Sequence, residues 1–497
     1  MQTEINTNNQ QKASAAKIFA MAGTYCLGVF NDNYFKQAAL LLAVTTGMAH
    51  LQGPATVLFS LPFILCSSYA GWIADRFAKR NVVRFSKGLE VIAMLIGAAG
   101  ILLINWPCIL AMIFLMSLQS TFFSPALNAS LLGIAIAGLS LDAKWPVSSG
   151  LASSRSLIAI VAVGVAVFGF LASLGVYSKE AAGVKRSFPW WGPVSSLKDA
   201  RDLFADHKLR KAILANTIFY FLASTAVLTI NLMGIKQLGF SQSLTSLLSV
   251  CLMLGISAGA VLVSRFFSIK QWDRFLFIGI LGMAVGLFVA AFTIFVPAAF
   301  QKIWIISGLT LAGFAGGVFL IPITSFLQIY PQRSEKGRVL GTTNFCSFIG
   351  IMCSGFVFSA LSFLFSPAGS MAALGALALC CALLLLLERT TLIFIGSRLL
   401  FALLSLRYRI TVKGLENIKA GDMRGTLFLP NHPALIDPVL ISCILYGKGV
   451  YPRPLSDQNQ VNKPGIRLLM KLIQPIVIPD MSTEGRGGKA RIKEALA

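Results

Sequence analysis

The chain has 497 residues, of which 56% are hydrophobic and only 12% are charged, and its mean hydropathy is +0.76. Because a soluble globular protein carries about 25% charged residues, this composition excludes a soluble protein and indicates a polytopic membrane protein. The net charge of +23 does not indicate nucleic-acid binding, since the basic residues are spread among loops between apolar segments, as membrane orientation requires.

Twelve apolar segments follow a polar tail at residues 1–17, and most are near the ~20 residues that cross a bilayer. The polar tail runs into a full-length span without a short apolar region, so no cleavable signal peptide is predicted. A polar stretch from Ser178 to Arg210 divides the spans six and six. The candidate spans are residues 18–44, 55–74, 83–104, 108–124, 127–141, 157–177, 212–232, 244–266, 275–296, 303–326, 339–365 and 368–387.

The basic residues of the loops predict the orientation of these spans, because cytoplasmic loops carry an excess of Lys and Arg. One set of loops is basic, with Arg76, Lys79, Arg80, Arg84, Lys87, Lys179, Lys185, Arg186, Lys198, Arg201, Lys208, Arg210, Arg265, Lys270, Arg274, Arg333, Lys336 and Arg338. The opposite loops hold only Lys144, Arg155, Lys236 and Lys302. The basic set is therefore predicted to be cytoplasmic, as is the segment after the last span.

The first span contains the most informative polar cluster, Phe30-Asn31-Asp32-Asn33-Tyr34-Phe35-Lys36. Charges inside a bilayer are costly and usually face a cavity. Asp32 and Lys36 are four residues apart, so they share one helix face and can neutralise each other. One interpretation is a structural ion pair in a packed bundle. The other is a substrate site formed by Asp32, Asn33 and Lys36, whose two charge signs match those of a zwitterionic phospholipid headgroup.

The loop between the second and third spans reads Gly71-Trp72-Ile73-Ala74-Asp75-Arg76-Phe77-Ala78-Lys79-Arg80. Gly71 allows close helix approach, and Asp75 can pair with basic residues or cap a neighbouring helix. The alternative is an ordinary basic loop with one acid. The pattern resembles the signature loop of the major facilitator superfamily. This resemblance implies two six-helix bundles and a conformational latch formed by Gly71, Asp75, Arg76, Lys79 and Arg80.

Two further stretches resemble bacterial lysophospholipid transporters, a subfamily of the facilitators. They are Phe30-Asn31-Asp32-Asn33 in the first span and Phe122-Phe123-Ser124-Pro125-Ala126 at the end of the fourth. The resemblance implies a lysophospholipid substrate and a place in the bacterial cytoplasmic membrane. The chain departs from the pattern after Ala126, because no charge occurs before Asp142. A loop and the start of the fifth helix are therefore expected to be missing.

The chain changes character after the last span. Residues 391–406 are apolar apart from Arg398 and are predicted to form a helix in the cytoplasmic interface, with a thirteenth span as the alternative. The following segment is expected to contain three strands. They are Tyr408–Val412, Thr426–Leu429, which is expected to be buried, and Ile473–Ile478.

A histidine and an aspartate follow the second of these strands, in Asn431-His432-Pro433-Ala434-Leu435-Ile436-Asp437. One turn can bring both side chains to the same opening, where Asp437 holds one imidazole nitrogen and leaves the other free as a base. The bare pattern also fits a surface histidine beside a helix-capping aspartate. In its context the stretch resembles the first block of the glycerolipid acyltransferases. That implies His432 as the general base on a lipid hydroxyl and Asp437 as the residue that orients it.

Three functions are compatible with these observations. The first is lysophospholipid flipping followed by re-acylation, with acyl carrier protein or coenzyme A supplying the acyl group. The second is transport of another amphiphile beside a non-functional acyltransferase remnant, because the family's third, phosphate-binding block does not occur before Ala497. That absence predicts that the sequence is the front part of a longer polypeptide. The third is a membrane-anchored enzyme whose bundle no longer transports.

The predicted fold is mainly α, a twelve-helix membrane protein followed by a partial cytoplasmic α/β acyltransferase domain. No metal or other cofactor is expected, because the nine cysteines lack metal-ligand spacing and eight lie in or beside apolar spans. The predicted domains are a tail at 1–17, bundles at 18–177 and 212–390, a central loop at 178–211, an interfacial helix at 391–406 and the acyltransferase part at 407–497.

Overall fold

The structure is a computed structural model. It describes residues 2–121, 127–143, 151–176, 188–266, 272–333, 335–414, 426–431, 436–448, 450–461 and 467–478, with only the backbone for residues 2–19 and a few other positions. The chain divides into two compact units, which are considered separately below. The first is Met1–Phe267 with Ile278–Leu379, and the second is Ser268–Phe277 with Cys380–Ala497.

The described residues are mainly helical, as predicted. The helices are α1 Gln2–Thr45, α2 Gln52–Arg76, α3 Lys79–Leu103, α4 Trp106–Ser120, α5 Leu127–Asp142, α6 Leu151–Leu174, α7 Gly192–Leu203, α8 His207–Leu232, α9 Gln242–Phe266, α10 Arg274–Ala291, α11 Ala298–Ile329, α12 Lys336–Leu364, α13 Pro367–Leu386, α14 Arg389–Arg407, α15 Asp437–Lys448, α16 Gln458–Val461 and α17 Arg467–Ile473. The strands are β1 Leu455–Asp457 and β2 Ile476–Ile478. Short helical turns of other types are Ala49–Leu51, Met233–Gln237 and Phe292–Phe295.

The helices α1–α6 and α8–α13 overlap the twelve predicted spans one for one. Among the described residues, nine helices are long and apolar enough to cross a membrane. Trp106–Ser120 and Leu131–Asp142 are apolar but shorter, which agrees with the short fifth span expected from the sequence. The remaining helix, α1, carries the polar cluster around Asp32.

The helix α1 lies at the centre of the first unit. From Tyr34 to Val44 every side chain except Lys36 is buried. Apolar residues occur on all sides of the helix in this stretch. A helix that is apolar on all sides is covered by neighbours on all sides. Here the neighbours are mainly α5 and α6, with smaller contacts to α4 and α8. Lys36 is the exception because it lines a cavity.

Local chemistry explains where the helices turn. The helix α3 ends at Ile104, whose φ of 53° places it in the left-handed region and reverses the chain. The next residue, Asn105, caps α4 because its side chain accepts a hydrogen bond from the Cys108 amide at 3.1 Å. Pro107 occupies the first turn of α4, where its missing N–H costs nothing. This two-residue connection makes α3 and α4 an antiparallel pair.

Small residues allow α9 and α11 to pack with their backbones in close approach. A Cβ atom added at Gly313 would meet the main-chain oxygen of Leu252, and one at Gly259 would meet the main chain of Phe314. Without a hydrophobic driving force between helices in lipid, such close packing is a main source of association. The glycines at these positions therefore allow α9 and α11 to form one of the closest helix pairs of the second bundle.

In the second unit, α14 packs against α15. Two arginines bond the last carbonyl groups of α15, with Arg274 Nη1 3.0 Å and Arg398 Nη2 3.2 Å from the Gly447 oxygen. Positive charge at a helix C-terminus compensates its dipole. The helix α14 is not among the described helices that satisfy the criteria for a span, and its interfacial placement stays a prediction.

The strands of the second unit agree only in part with the prediction. β2 confirms only the second half of the strand expected at Ile473–Ile478, because Ile473 instead ends α17. β2 pairs in parallel with β1, with Leu455 opposite Ile476. The predicted strands at 408–412 and 426–429 are wrong, because both segments are irregular. Leu427 and Leu429 are 73% and 84% exposed rather than buried. A β-rich composition forms a strand only where a neighbouring strand supplies hydrogen bonds, and the described residues offer none at these segments.

Candidate functional site

Asp32, Asn33 and Lys36 line one cavity of about 90 Å³ in the first unit, which is room for several water molecules. Their spacing of one to four residues places them along one side of α1, as the helical period requires. Other walls come from α2, α3 and α4. The remaining lining residues are Thr24, Tyr25, Gly28, Val29, Phe59, Phe63, Lys87, Gln119 and Ser120.

The Asp32 carboxylate is held by neutral donors from the end of α4. Gln119 Nε2 donates to Asp32 Oδ1 at 3.2 Å, and the Ser120 hydroxyl donates to Asp32 Oδ2. Gln119 Nε2 also lies 2.7 Å from Ser120 Oγ, which keeps the two donors together. These contacts orient the carboxylate without cancelling its charge. The Asp32 carboxyl group therefore lines the cavity with no cation bonded to it among the described residues, and a cation that enters can approach it.

The Lys36 ammonium group contacts an aromatic ring instead of Asp32. Its Nζ lies 4.0 Å from the centroid of the Phe59 ring, which is a cation–π contact. Phe59 belongs to an aromatic group in which Phe63 and Phe348 stack with centroids 3.7 Å apart. Within the described residues, Asp32 and Lys36 do not form the ion pair that the sequence allowed. Both charges instead face the same cavity.

A buried ion pair in α3 was missed by the sequence reasoning. Lys87 Nζ lies 2.5 Å from Glu90 Oε2, and the two side chains are 2% and 0% exposed. Asn31 Nδ2 joins the pair by donating to Glu90 Oε1 and to the Ala162 carbonyl, each at 3.1 Å. A lysine and a glutamate three residues apart inside an apolar helix were the signal that could have revealed it.

The assignment of Lys87 to a cytoplasmic loop is therefore wrong. The helix α3 begins at Lys79, so Lys87 lies two turns inside it and faces the bundle. Gly28 of α1 leaves the space that the lysine needs, because a Cβ atom there would lie 2.5 Å from Lys87 Nζ. The candidate span, residues 83–104, already contained Lys87. Counting Lys87 with the basic residues that precede the span assigned it to the loop instead.

A polar network connects the two halves of the first unit near the C-terminal end of α1. Gln37 Nε2 donates to Asn231 Oδ1 at 3.0 Å, and Asn231 Nδ2 lies 3.5 Å from Gln52 Oε1. Beside it, Asp142 accepts the Ser243 amide at 2.6 Å and the Gln242 amide at 3.3 Å. The carboxylate thus caps the N-terminus of α9 from α5. The two halves are held together at this end.

Different contacts bind the central connection to the second half at the opposite end of the helices. Arg338 of α12 pairs with Asp199 at 2.6 Å and with Asp202 at 2.8 Å, both on α7. Tyr330 donates its hydroxyl to Asp206 at 3.0 Å. These groups are partly exposed, unlike the Gln37 network.

The structure shows only part of the predicted latch. Arg76 is exposed and its guanidinium lies 5.2 Å from the Trp72 ring. Arg80 Nε is buried without a hydrogen-bond partner in the part of the chain that the structure describes. The side chains of Gly71, Asp75 and Lys79 lie outside the described atoms, although their backbones are helical. The latch stays a prediction.

The predicted acyltransferase pair is described at one member only. Asp437 is the first residue of α15 and is half-buried. His432 lies outside the described residues, as do Ser124, Pro125 and Ala126 of the stretch that ends the fourth span. The His432–Asp437 pair therefore stays a prediction.

Comparison with known proteins agrees with this architecture. The lysophospholipid transporters LplT of Yersinia pestis (strain Pestoides F) and Yersinia pseudotuberculosis serotype O:3 (strain YPIII) are each 25% identical over 316 residues, covering 56% of this chain and 68% of the relative. A mutant of the nucleoside transporter NupG superposes with a TM-score of 0.56 at 13% identity, covering 75% of this chain and 99% of that one.

A second solved structure, the xylose transporter XylE from E. coli, has a TM-score of 0.54 at 13% identity and covers 74% of this chain and 95% of its own. At such identities the superpositions show a shared fold. The family model of the Major Facilitator Superfamily matches residues 14–355. Since this match spans well over half of the sequence and the helices follow the same order, the chain belongs to the Major Facilitator Superfamily.

Proposed function

We propose that this chain moves lysophospholipids across the bacterial cytoplasmic membrane, with Asp32, Asn33 and Lys36 receiving the headgroup. The observation that carries the proposal is a carboxylate and an ammonium group on one cavity wall without an ion pair between them. A zwitterionic headgroup offers a cation to Asp32 and a phosphate to Lys36. Asn33, next to Asp32 on the same wall, adds an amide that can bond the headgroup.

The surroundings of the charges support an amphiphilic substrate. Phe59 and Phe63 line the same cavity and provide apolar surface beside the charged wall. Lys87 also lines the cavity, but its ammonium group is paired with Glu90, so Lys36 is the cation that we expect to receive the phosphate. The 25% identity to the LplT transporters of Yersinia also supports this substrate class.

The test is flipping of fluorescent lysophosphatidylethanolamine by the full chain in proteoliposomes. Asp32→Asn and Lys36→Met each remove one charge-assisted contact, worth about 1.5–3 kcal/mol, so we expect a loss of roughly tenfold or more in apparent affinity. Lys302→Met is the matched control, because Lys302 is exposed at the start of α11. Unchanged flipping by Asp32→Asn would refute the site, and absence of flipping by the unmodified chain would refute the function.

The alternative substrate is another amphiphile. The same proteoliposomes can distinguish it from a lysophospholipid. A site that uses both charges should prefer the zwitterionic lysolipid over an uncharged monoacylglycerol of equal chain length. Equal rates for the two lipids would show that the headgroup charges are not recognised. The chain would then carry a broader class of amphiphiles, and Asp32 and Lys36 would need another role.

We further propose that the cytoplasmic region re-acylates the lysolipid, with His432 as the base that removes the hydroxyl proton while an acyl thioester is cleaved. Asp437, at the start of α15, would orient the imidazole, and acyl carrier protein or coenzyme A would carry the acyl group. The sequence Asn431-His432 and the helix beginning at Asp437 support this proposal.

The re-acylation test supplies labelled lysolipid and acyl carrier protein loaded with an acyl thioester to the same proteoliposomes. His432→Ala should abolish new diacyl lipid while flipping continues. Flipping without acylation in the unmodified chain would favour a non-functional acyltransferase remnant, whereas acylation without flipping would favour a membrane-anchored enzyme. Labelling that found residue 432 on the outer side would contradict the cytoplasmic placement.

The latch at the α2–α3 connection is also a proposal. Arg76 beside Trp72 and Arg80 in the first turn of α3 support it, because both basic groups lie close to Asp75 in the sequence. We expect Asp75→Asn to lower the flipping rate while headgroup affinity stays unchanged, because a latch acts on the conformational change. If Asp75→Asn lowers headgroup affinity as much as it lowers the flipping rate, Asp75 would instead have a role in binding.

A further inference from the structure

The central connection between the two halves contains a helix with an apolar face that the protein leaves uncovered. Along α7, Gly192, Ala200 and Leu203 are buried. The opposite face presents Trp190 at 79%, Trp191 at 77%, Val194 at 55% and Leu197 at 56% exposure. A soluble surface rarely carries two exposed tryptophans beside two aliphatic residues, so this patch indicates an apolar or amphipathic partner.

The depth of the helix start identifies that partner. The Tyr69 hydroxyl donates to the Trp190 carbonyl at 3.3 Å, and Ser68 Oγ donates to the Gly192 carbonyl at 3.0 Å. Tyr69 lies seven residues before Arg76, so α7 begins about 10 Å inside the end of α2. The second predicted span, residues 55–74, contains Tyr69 near its end, so this level lies close to the edge of the hydrocarbon core.

Aromatic packing holds the tryptophan end of α7 at this level. Phe188 stacks on Tyr69 with centroids 5.5 Å apart and meets Trp72 edge to face at 5.1 Å. Trp190 in turn lies 5.0 Å from the Phe188 ring. Tyrosine and tryptophan are enriched where one end of a ring is apolar and the other is wet, as at a membrane–water interface.

The charges of α7 are arranged as a bilayer surface requires. Lys198 and Arg201 are exposed beside the apolar face, where they can reach lipid phosphates. The acidic residues Asp199 and Asp202 instead pair with Arg338 at the first turn of α12. The helix therefore presents tryptophan, aliphatic and basic groups to one side and binds the protein with the other.

We propose that α7 is an in-plane interfacial helix whose Trp190–Trp191–Val194–Leu197 face inserts into the lipid leaflet on the cytoplasmic side. The partner is the phospholipid surface itself, and the proposal holds whatever the chain transports. The helix joins the two halves, so this insertion ties the connection to the leaflet in which a flipped lipid would arrive.

Fluorescence quenching in proteoliposomes of phosphatidylethanolamine and phosphatidylglycerol tests the insertion. The chain has seven tryptophans, so the emission of the pair is taken as the difference between the unmodified chain and W190F/W191F. For a pair at the interface we expect lipids brominated near the headgroup to remove roughly half of this difference emission. Aqueous acrylamide should quench it only weakly.

Two outcomes would overturn the proposal. Strong acrylamide quenching without bromolipid quenching would place the face in water, and protection from both quenchers would place it against protein, including a second copy of the chain. If the phenylalanine variant does not fold, W190Y/W191Y provides the same difference signal when only tryptophan is excited, because tyrosine keeps an interfacial ring at each position.

Discussion

The buried pair Lys87–Glu90 makes the sharpest prediction about the stability of the first bundle. Glu90→Gln leaves the Lys87 ammonium buried beside a neutral amide, and Lys87→Met leaves the Glu90 carboxylate buried with only a neutral donor, the Asn31 amide, among its described contacts. Removing one partner of a buried pair costs about 3–5 kcal/mol, because the remaining charge stays desolvated. Each single variant should therefore unfold far more readily than the unmodified chain.

The double variant K87M/E90Q should be more stable than either single variant. It removes both charges, and the glutamine side chain introduced at position 90 would keep an oxygen that accepts from Asn31. Replacing a buried pair by neutral groups of similar volume is often close to neutral, so we expect a net loss of about 1 kcal/mol or less. The coupling free energy between the two positions would then be about 5 kcal/mol or more, which is far above the error of a double-mutant cycle.

The assay is denaturant unfolding of the purified chain in one detergent, followed by tryptophan emission. Arg338→Gln is the matched control, because its pair with Asp199 and Asp202 is 35% exposed at the arginine. An exposed pair contributes about 0–1 kcal/mol, so this variant should differ little from the unmodified chain. Additive losses in K87M/E90Q would refute the argument, since they would show that neither charge depends on the other.

Three further predictions concern helix packing and capping. Gly313→Leu should destabilise the chain by about 1–3 kcal/mol, because the side chain would push α9 from α11, while Gly337→Ala, in open space, should be neutral or slightly stabilising in the same unfolding assay. Asp142→Ala should cost about 0.5–2 kcal/mol by removing the cap of α9, and Asp142→Asn should recover part of it; equal losses would contradict a capping role. For Asp206, burial raises the carboxyl pKa but hydrogen bonds from the Leu209 amide, the Tyr330 hydroxyl and the Lys208 amide outweigh it, so the pKa is lowered on folding. The Asp206 carboxylate therefore contributes to the free energy of unfolding above its unfolded pKa of about 3.9, and this contribution is lost as the pH falls through the folded pKa. The difference in the free energy of unfolding between the unmodified chain and Asp206→Asn should shrink below about pH 4.

The membrane class and the helix order followed from the sequence alone, because burying an unpaired backbone in lipid is so costly that apolar segments of sufficient length become helices. The twelve predicted spans each overlap a helix. Proline and asparagine at the start of α4 likewise determine a helix boundary through local hydrogen bonds. In each case the cause lies within a few residues of the effect.

The partners of the charged side chains were decided by the tertiary structure. The four-residue spacing of Asp32 and Lys36 allowed a pair, but α4 supplies donors to the carboxylate and α2 supplies the ring beside the ammonium. The sequence assigned Lys87 to a loop, whereas in the structure α1 and α6 enclose it. The sequence assigned Leu427 to a buried strand, whereas in the structure it is exposed and no neighbouring strand is described beside it. Spacing along one helix determines which groups share a face, whereas the charge, donor or strand that meets that face comes from segments distant in sequence.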